Sequence, residues 1–133
     1  MAIEIRILVY AAILLLVHVF TEAHYKTRQY GTKWNMGARD EDLPPLNPVA
    51  GRLARARGNY LETLPIAIIA LLGVVVADRT SEWTALGGWI WLIARIVYLP
   101  LYWAGVPMVR TLVFMASLVG LGMVIWPLLW AGA

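Results

Sequence analysis

The chain has 133 residues, 61% of them hydrophobic and only 14% charged, with a net charge of +3. Soluble domains run about 45–50% apolar and about 25% charged, and a fold this small hides only about two-thirds of its chain surface. Disorder, a disulfide-stapled secreted module and an ordinary cytosolic enzyme are therefore excluded, and the solvent for this chain is a bilayer.

Four apolar stretches follow one another. The first runs from Ile5 to Phe20 and continues helically to about Tyr25. Glu4 ahead of it and the lack of an A-x-A site behind it argue against a cleaved leader. The second, Tyr60 to Ala77, is interrupted only by Glu62, and the third, Trp83 to Trp103, carries one charge at Arg95. The fourth, Thr111 to Trp130, carries none. Each approaches the roughly 20 residues that cross a hydrocarbon core. Lipid offers backbone groups no partners, so such runs must be helices.

The prediction is an all-α integral membrane four-helix bundle, a single domain over 1–133, with helices over about 2–27, 48–78, 82–104 and 107–131. Gly31, Gly37, Pro44, Pro45 and Pro48 mark the connection at about 28–47 as turn-rich rather than helical. That connection and its flanks hold Lys26, Arg28, Lys33, Arg39, Arg52, Arg55 and Arg57, whereas the next connection holds only Asp78, Arg79 and Glu82. The positive-inside bias then puts the long first loop, and Arg110 with it, on the cytoplasmic side. Most of the seven tryptophans fall near predicted helix ends, as interfacial anchors do. Gly120 and Gly122, with Ala116, predict close packing of the fourth helix on a neighbour, and Pro65 and Pro100 predict kinks.

Cysteine is absent, so the chain owns no thiol nucleophile, disulfide or thiolate metal site. His18 and Glu22 lie one helical turn apart with His24 nearby, but two histidines without further clustering make a poor metal site, and none is predicted. The small, local basic excess does not point to nucleic acid.

Ionisable groups inside a span cost at least about 2.5–3.5 kcal/mol at mid-depth, so they carry the functional information. Arg52, Arg55, Asn59 and Glu62 recur at helical spacing and form one polar stripe. Arg95, Tyr98 and Tyr102 form another, and Arg110 opens the fourth helix. The topology brings these groups into one half of the bilayer. Glu62 is the expected partner of the buried Arg95, within the chain or across a subunit boundary. Guanidinium groups suit carboxylates and phosphates, so the stripes read as a receptor for a small polyanion that also carries one cation for Glu62. Glutathione has that pattern and brings the thiol the chain lacks.

At these residues the sequence resembles the MAPEG family, the membrane-associated proteins in eicosanoid and glutathione metabolism. Arg55 to Pro65, R-A-R-G-N-Y-L-E-T-L-P, is similar to the family's helix-two signature R-A-x-x-N-x-x-E-x-x-P. Ala94 to Tyr102, A-R-I-V-Y-L-P-L-Y, is similar to its helix-three A-R-x-x-Y-x-x-x-Y. The resemblance, to a bacterial-type member like the microsomal glutathione transferases, implies a homotrimer in a bacterial inner membrane with glutathione between neighbouring subunits near the cytoplasmic face. It implies Arg55, Asn59, Glu62, Tyr98 and Tyr102 as glutathione-binding residues, and Arg110 as the arginine that stabilises the thiolate. Arg52, Arg57, Arg95 and Arg28 are carried as further binding residues, with Arg57 standing where relatives have a glutamine or other polar residue. Thr63 replaces a tyrosine found in some eicosanoid-forming members, which argues against their substrate specificity.

The implied activity is conjugation of glutathione to hydrophobic electrophiles, with glutathione peroxidase activity toward lipid hydroperoxides as a second reaction of the same site. The acceptor would come from the lipid, between the first and fourth spans of adjacent subunits. Two alternatives stay open at this point. One is a non-catalytic glutathione- or lipid-binding scaffold of the same fold, and the other is a small four-helix multidrug transporter.

Overall fold

The computed structural model describes residues 1–130. Among the described residues its regular elements are all helices: α1 Ile3–Tyr30, α2 Thr32–Met36, α3 Pro48–Val76, α4 Glu82–Ala104 and α5 Pro107–Leu129. Local chemistry sets the breaks. Gly31, at φ +98°, ends α1 in a backbone region that side chains disfavour. Asn47 caps α3, its side chain accepting from the Ala50 N–H at 2.9 Å, with Pro48 in the first turn where no N–H is needed. Ser81 and Thr84 form a reciprocal capping box at the start of α4. Gly105, in the left-handed region, closes α4 and lets Pro107 open α5 two residues later.

Four of these helices, of 28, 29, 23 and 23 residues, are long and apolar enough to cross a membrane. The chain is an integral multi-pass membrane protein. Its outer faces expose Ile13, Phe20, Ile69, Ile93, Leu112 and Val119 among many others, far more apolar surface than a water-soluble monomer carries. The interior is a narrow seam of Ile7, Ala11 and Leu14 from α1, Leu53, Tyr60, Leu71 and Val74 from α3, Trp91 and Leu92 from α4, and Leu121 and Val124 from α5.

Small residues set the closest approaches. A methyl group at Gly120 would lie 2.5 Å from the Gly87 carbonyl oxygen and 2.6 Å from the Trp91 nitrogen. Of the two glycines read from sequence as packing sites, Gly120 is therefore one. Gly122 faces open space. The partner positions Gly87 and Gly88 on α4 were not foreseen, and Gly88 fits against Ile7 and Leu71. Pro65 and Pro100 lie inside α3 and α4 without ending them. Trp91 is a fully buried core residue rather than an interfacial anchor.

The long connection differs from the expectation of turns alone. Helix α1 continues to Tyr30, and α2 occupies residues 32–36. Trp34 holds this short helix down, with its ring 4.9 Å from Tyr30 and Arg39 stacked 4.6 Å above it. Beyond it the chain lies back along the end of α1, where the Tyr30 hydroxyl donates to the Pro44 carbonyl at 2.6 Å and Gln29 donates to the Pro45 carbonyl at 2.9 Å.

Candidate functional site

The start of α3, the end of α4 and the start of α5 meet at the end of the bundle that carries the long connection. Three turns of α3 contribute the polar stripe there. Arg52 is the outermost member, and its Nε donates to the Trp103 carbonyl at 3.0 Å, with the guanidinium lying against Gly105. A cation at a helix C-terminus satisfies a carbonyl that has no intrahelical partner. Arg52 therefore pins the α4–α5 corner through this bond.

One turn on, the Arg55 Nε donates to the Tyr102 hydroxyl at 3.2 Å. Arg110 approaches the same tyrosine from α5, its guanidinium carbon 4.4 Å from the ring centre. Arg55 is exposed and Arg110 half-buried. Two cations from α3 and α5 thus converge on one phenol from α4. Such a flat, electron-rich ring can hold a guanidinium without neutralising it.

Beneath Tyr102, Tyr98 meets it edge-on with ring centres 5.6 Å apart. Arg95 lies deeper, its guanidinium carbon 4.2 Å from the Tyr98 ring centre, 5.4 Å from Tyr60 and 5.7 Å from Phe114. Among the described residues its side chain makes one hydrogen bond, from Nη1 to the Asn59 side-chain oxygen at 2.7 Å, and its Nε and Nη2 have no partner. The expected pairing of Glu62 with Arg95 does not form within the chain. Asn59, one turn before Glu62, takes that place, and Glu62 points outward and is exposed. Arg95 itself is 0% exposed. It therefore lies behind the surface on which Arg55, Tyr102 and Arg110 meet.

Arg57 turns the other way. Both its Nε and Nη2 donate to the Glu22 carboxylate on α1, which Lys26 also approaches at 2.6 Å. The side chain of Glu22 is only 5% exposed. A buried carboxylate needs paired cations, and Arg57 and Lys26 supply them. Arg57 is committed to this ion pair rather than to the Tyr102 cluster. Arg28 lies on the face of Tyr25, 5.6 Å from its ring centre, at the end of α1. A cavity of about 280 Å³ on the α1 side, walled in part by Glu22, Lys26, Trp34, Arg39 and Arg57, shares only Arg57 with the residues predicted from sequence.

Among the described residues no group of three histidine or acidic side chains could hold a metal. His18 is buried flat against Tyr60, with ring centres 4.8 Å apart, and Glu22 is spent on its two cations. Among the described residues both salt bridges use Glu22, so Arg55, Arg95 and Arg110 keep their charge without a carboxylate partner. The site is cationic and open to an anion, with phenols and an amide as hydrogen-bonding groups. Tyr60 and Phe114, which complete the aromatic surround of Arg95, were not read from sequence, although Phe114 falls one turn after Arg110.

No curated protein and no solved structure matches the chain. The family model of the MAPEG family matches residues 7–130, nearly the full length, and the chain belongs to that family.

Proposed function

We infer that the protein is a membrane-bound glutathione transferase that joins the glutathione thiolate to hydrophobic electrophiles, and that the same site reduces lipid hydroperoxides. The family includes glutathione transferases and related membrane proteins, so membership narrows the choice without making it. The observation that carries the reading is the convergence of Arg55 and Arg110 on Tyr102 with no carboxylate to neutralise them. Such a pair offers two sites for the carboxylates or thiolate of a tripeptide, and Tyr98 and Asn59 lie one turn deeper.

Glu62 supports a site shared between subunits. Glu62 is exposed with Leu61, Ile66 and Ile69 exposed near it, and a carboxylate is costly in lipid unless something pairs with it. The ammonium group of glutathione held between neighbouring copies of α3, in a homotrimer, would do so. By the basic bias of the long connection, this end of the bundle would face the cytoplasm of a bacterial cell, its inner membrane holding the protein.

Arg110 is the residue proposed to act on the sulfur. Lowering a thiol pKa from about 8.5 to about 6.5 requires about 2.7 kcal/mol of preference for the thiolate. A guanidinium at about 4 Å supplies about 4 kcal/mol at an effective dielectric near 20. One arginine is enough. The thiol proton leaves to water, the thiolate attacks the electrophilic carbon, and the leaving group departs with the electron pair. The electrophile arrives from the hydrocarbon, where apolar acceptors concentrate.

Titration of the detergent-solubilised protein with glutathione tests this. Wild type is expected to develop the ultraviolet band of a thiolate and to conjugate a generic aryl halide, and Arg110→Ala to lose both. Glutathione binding without a thiolate band or turnover would make the protein a scaffold, and no binding at all would overturn the reading. Proton-coupled uptake of drugs into vesicles, indifferent to glutathione, would identify a transporter.

A further inference from the structure

Arg95 is a full charge sealed inside the bundle at 0% exposure, with no carboxylate among the described residues paired to it. Three aromatic faces, Tyr60, Tyr98 and Phe114, surround it, and a single amide oxygen receives one of its protons. Burying an arginine this way costs more than an apolar residue of similar size would. A neighbouring subunit cannot relieve that cost, because no atom of Arg95 reaches the surface. Packing alone does not call for a guanidinium at this position.

Its hydrogen bond shows what the charge does accomplish. Arginine can only donate, so the atom of Asn59 that faces it must be the oxygen, which fixes which way round the amide sits. The remaining capacity of that amide is then its two N–H donors. Asn59 is half-buried, between the exposed Arg55 and Glu62 on the same helix. An amide locked with its oxygen inward presents its donors outward, toward acceptors of a bound anion. An amide free to rotate would present an oxygen half the time, and would repel a carboxylate in that orientation.

The geometry assigns Arg95 as a positioning residue: buried behind the site, it holds the Asn59 amide in its donor-outward orientation and acts on the ligand only through Asn59. This rests on the glutathione-binding reading above and names the group that sets the polarity of that site. The same guanidinium lies over the ring of Tyr98, 4.2 Å from its centre.

Calorimetric titration of the detergent-solubilised full chain with glutathione tests the assignment, with thermal unfolding measured in parallel. Wild type must bind; absence of binding there fails the glutathione reading, and this assignment with it. Given binding, Arg95→Met is expected to keep or raise the melting temperature and to weaken glutathione about tenfold, the loss of one hydrogen bond to a charged group. In an Asn59→Ala background the same change is expected to have no further effect on binding. Full-affinity binding by Arg95→Met, or an equal loss in the Asn59→Ala background, would overturn the assignment while leaving the glutathione reading intact.

Asn59→Asp provides the second arm should Arg95→Met fail to fold. It places a carboxylate against Arg95, which favours the fold, but replaces outward donors with an acceptor. A contact in which Asn59 presents no donor to the ligand predicts unchanged glutathione affinity for this variant. The assignment predicts a melting temperature at or above wild type with at least a tenfold loss of affinity.

Discussion

The guanidinium of Arg110 lies over the ring of Tyr102, 4.4 Å from its centre. A cation–aromatic contact leaves the charge available for a second partner, whereas a carboxylate would consume it. That difference lets an arginine at the mouth of α5 serve an incoming thiol. Arg110→Ala is expected to reduce the thiolate fraction of bound glutathione about 25-fold at about pH 7, the effect of returning its pKa from about 6.5 to about 8.5. Arg110→Lys keeps a charge but not the flat stacking on Tyr102, and should restore part of the thiolate absorbance.

Tyr102 serves both arginines by different parts of its side chain. Its hydroxyl accepts from Arg55, while its face carries Arg110. Tyr102→Phe removes the first contact and keeps the second. Glutathione affinity measured by calorimetry should fall by less than tenfold, about 1 kcal/mol, with the thiolate band intact. Tyr102→Leu removes both contacts and should weaken binding and band together.

The four spans were legible because lipid imposes length and composition on every helix that crosses it. The two polar stripes were legible because charge is rare there, and Arg55, Tyr98, Tyr102 and Arg110 do come together. What sequence could not supply was direction across helices. Arg57 lies two residues from Arg55, and only the packing shows that it turns to Glu22, 35 positions earlier. The spacing of Glu22 from His18 suggests a metal pair in sequence, but its neighbours in space are the cations Lys26 and Arg57. Asn59 and Glu62 are both within reach of α4 by helical phase, and a turn of rotation decided that Arg95 meets the amide. Helix α2 escaped notice because five residues between two glycines show no periodicity, and ring contacts from Tyr30 and Arg39 hold it.

The Glu22 ion pair predicts an asymmetry between its members. Glu22 is 5% exposed, whereas the side chains of Lys26 and Arg57 are 27% and 36% exposed. Arg57→Gln leaves Glu22 still paired with Lys26, and water can reach the vacated position. Its cost should be small, about 1 kcal/mol or less, as for exposed pairs. Glu22→Gln strands two cations beside a buried amide and should cost more, up to about 3 kcal/mol, toward the range for a broken buried pair. Thermal unfolding of the two variants in the same detergent should order them that way. Equal losses would mean that the carboxylate is better solvated than its burial indicates.

The α4–α5 corner that presents Arg110 to Tyr102 depends on how closely these helices approach farther along. At Gly120 an added methyl group would stand 2.5 Å from a backbone oxygen and 2.6 Å from a backbone nitrogen. No rotamer change relieves a clash with backbone, so the helices must part. Gly120→Ala is expected to cost about 1–3 kcal/mol of stability in detergent. Because Arg110 rides on the same helix, it should also loosen the contact with Tyr102 and lower the thiolate absorbance. Gly122→Ala is the control. Nothing lies within 4 Å of the methyl group it would add, and alanine favours a helix over glycine by up to about 1 kcal/mol. That variant should match or slightly exceed wild type in melting temperature. A clear loss there would reveal a neighbouring copy seated against that face of α5, since small residues are what let membrane helices approach each other.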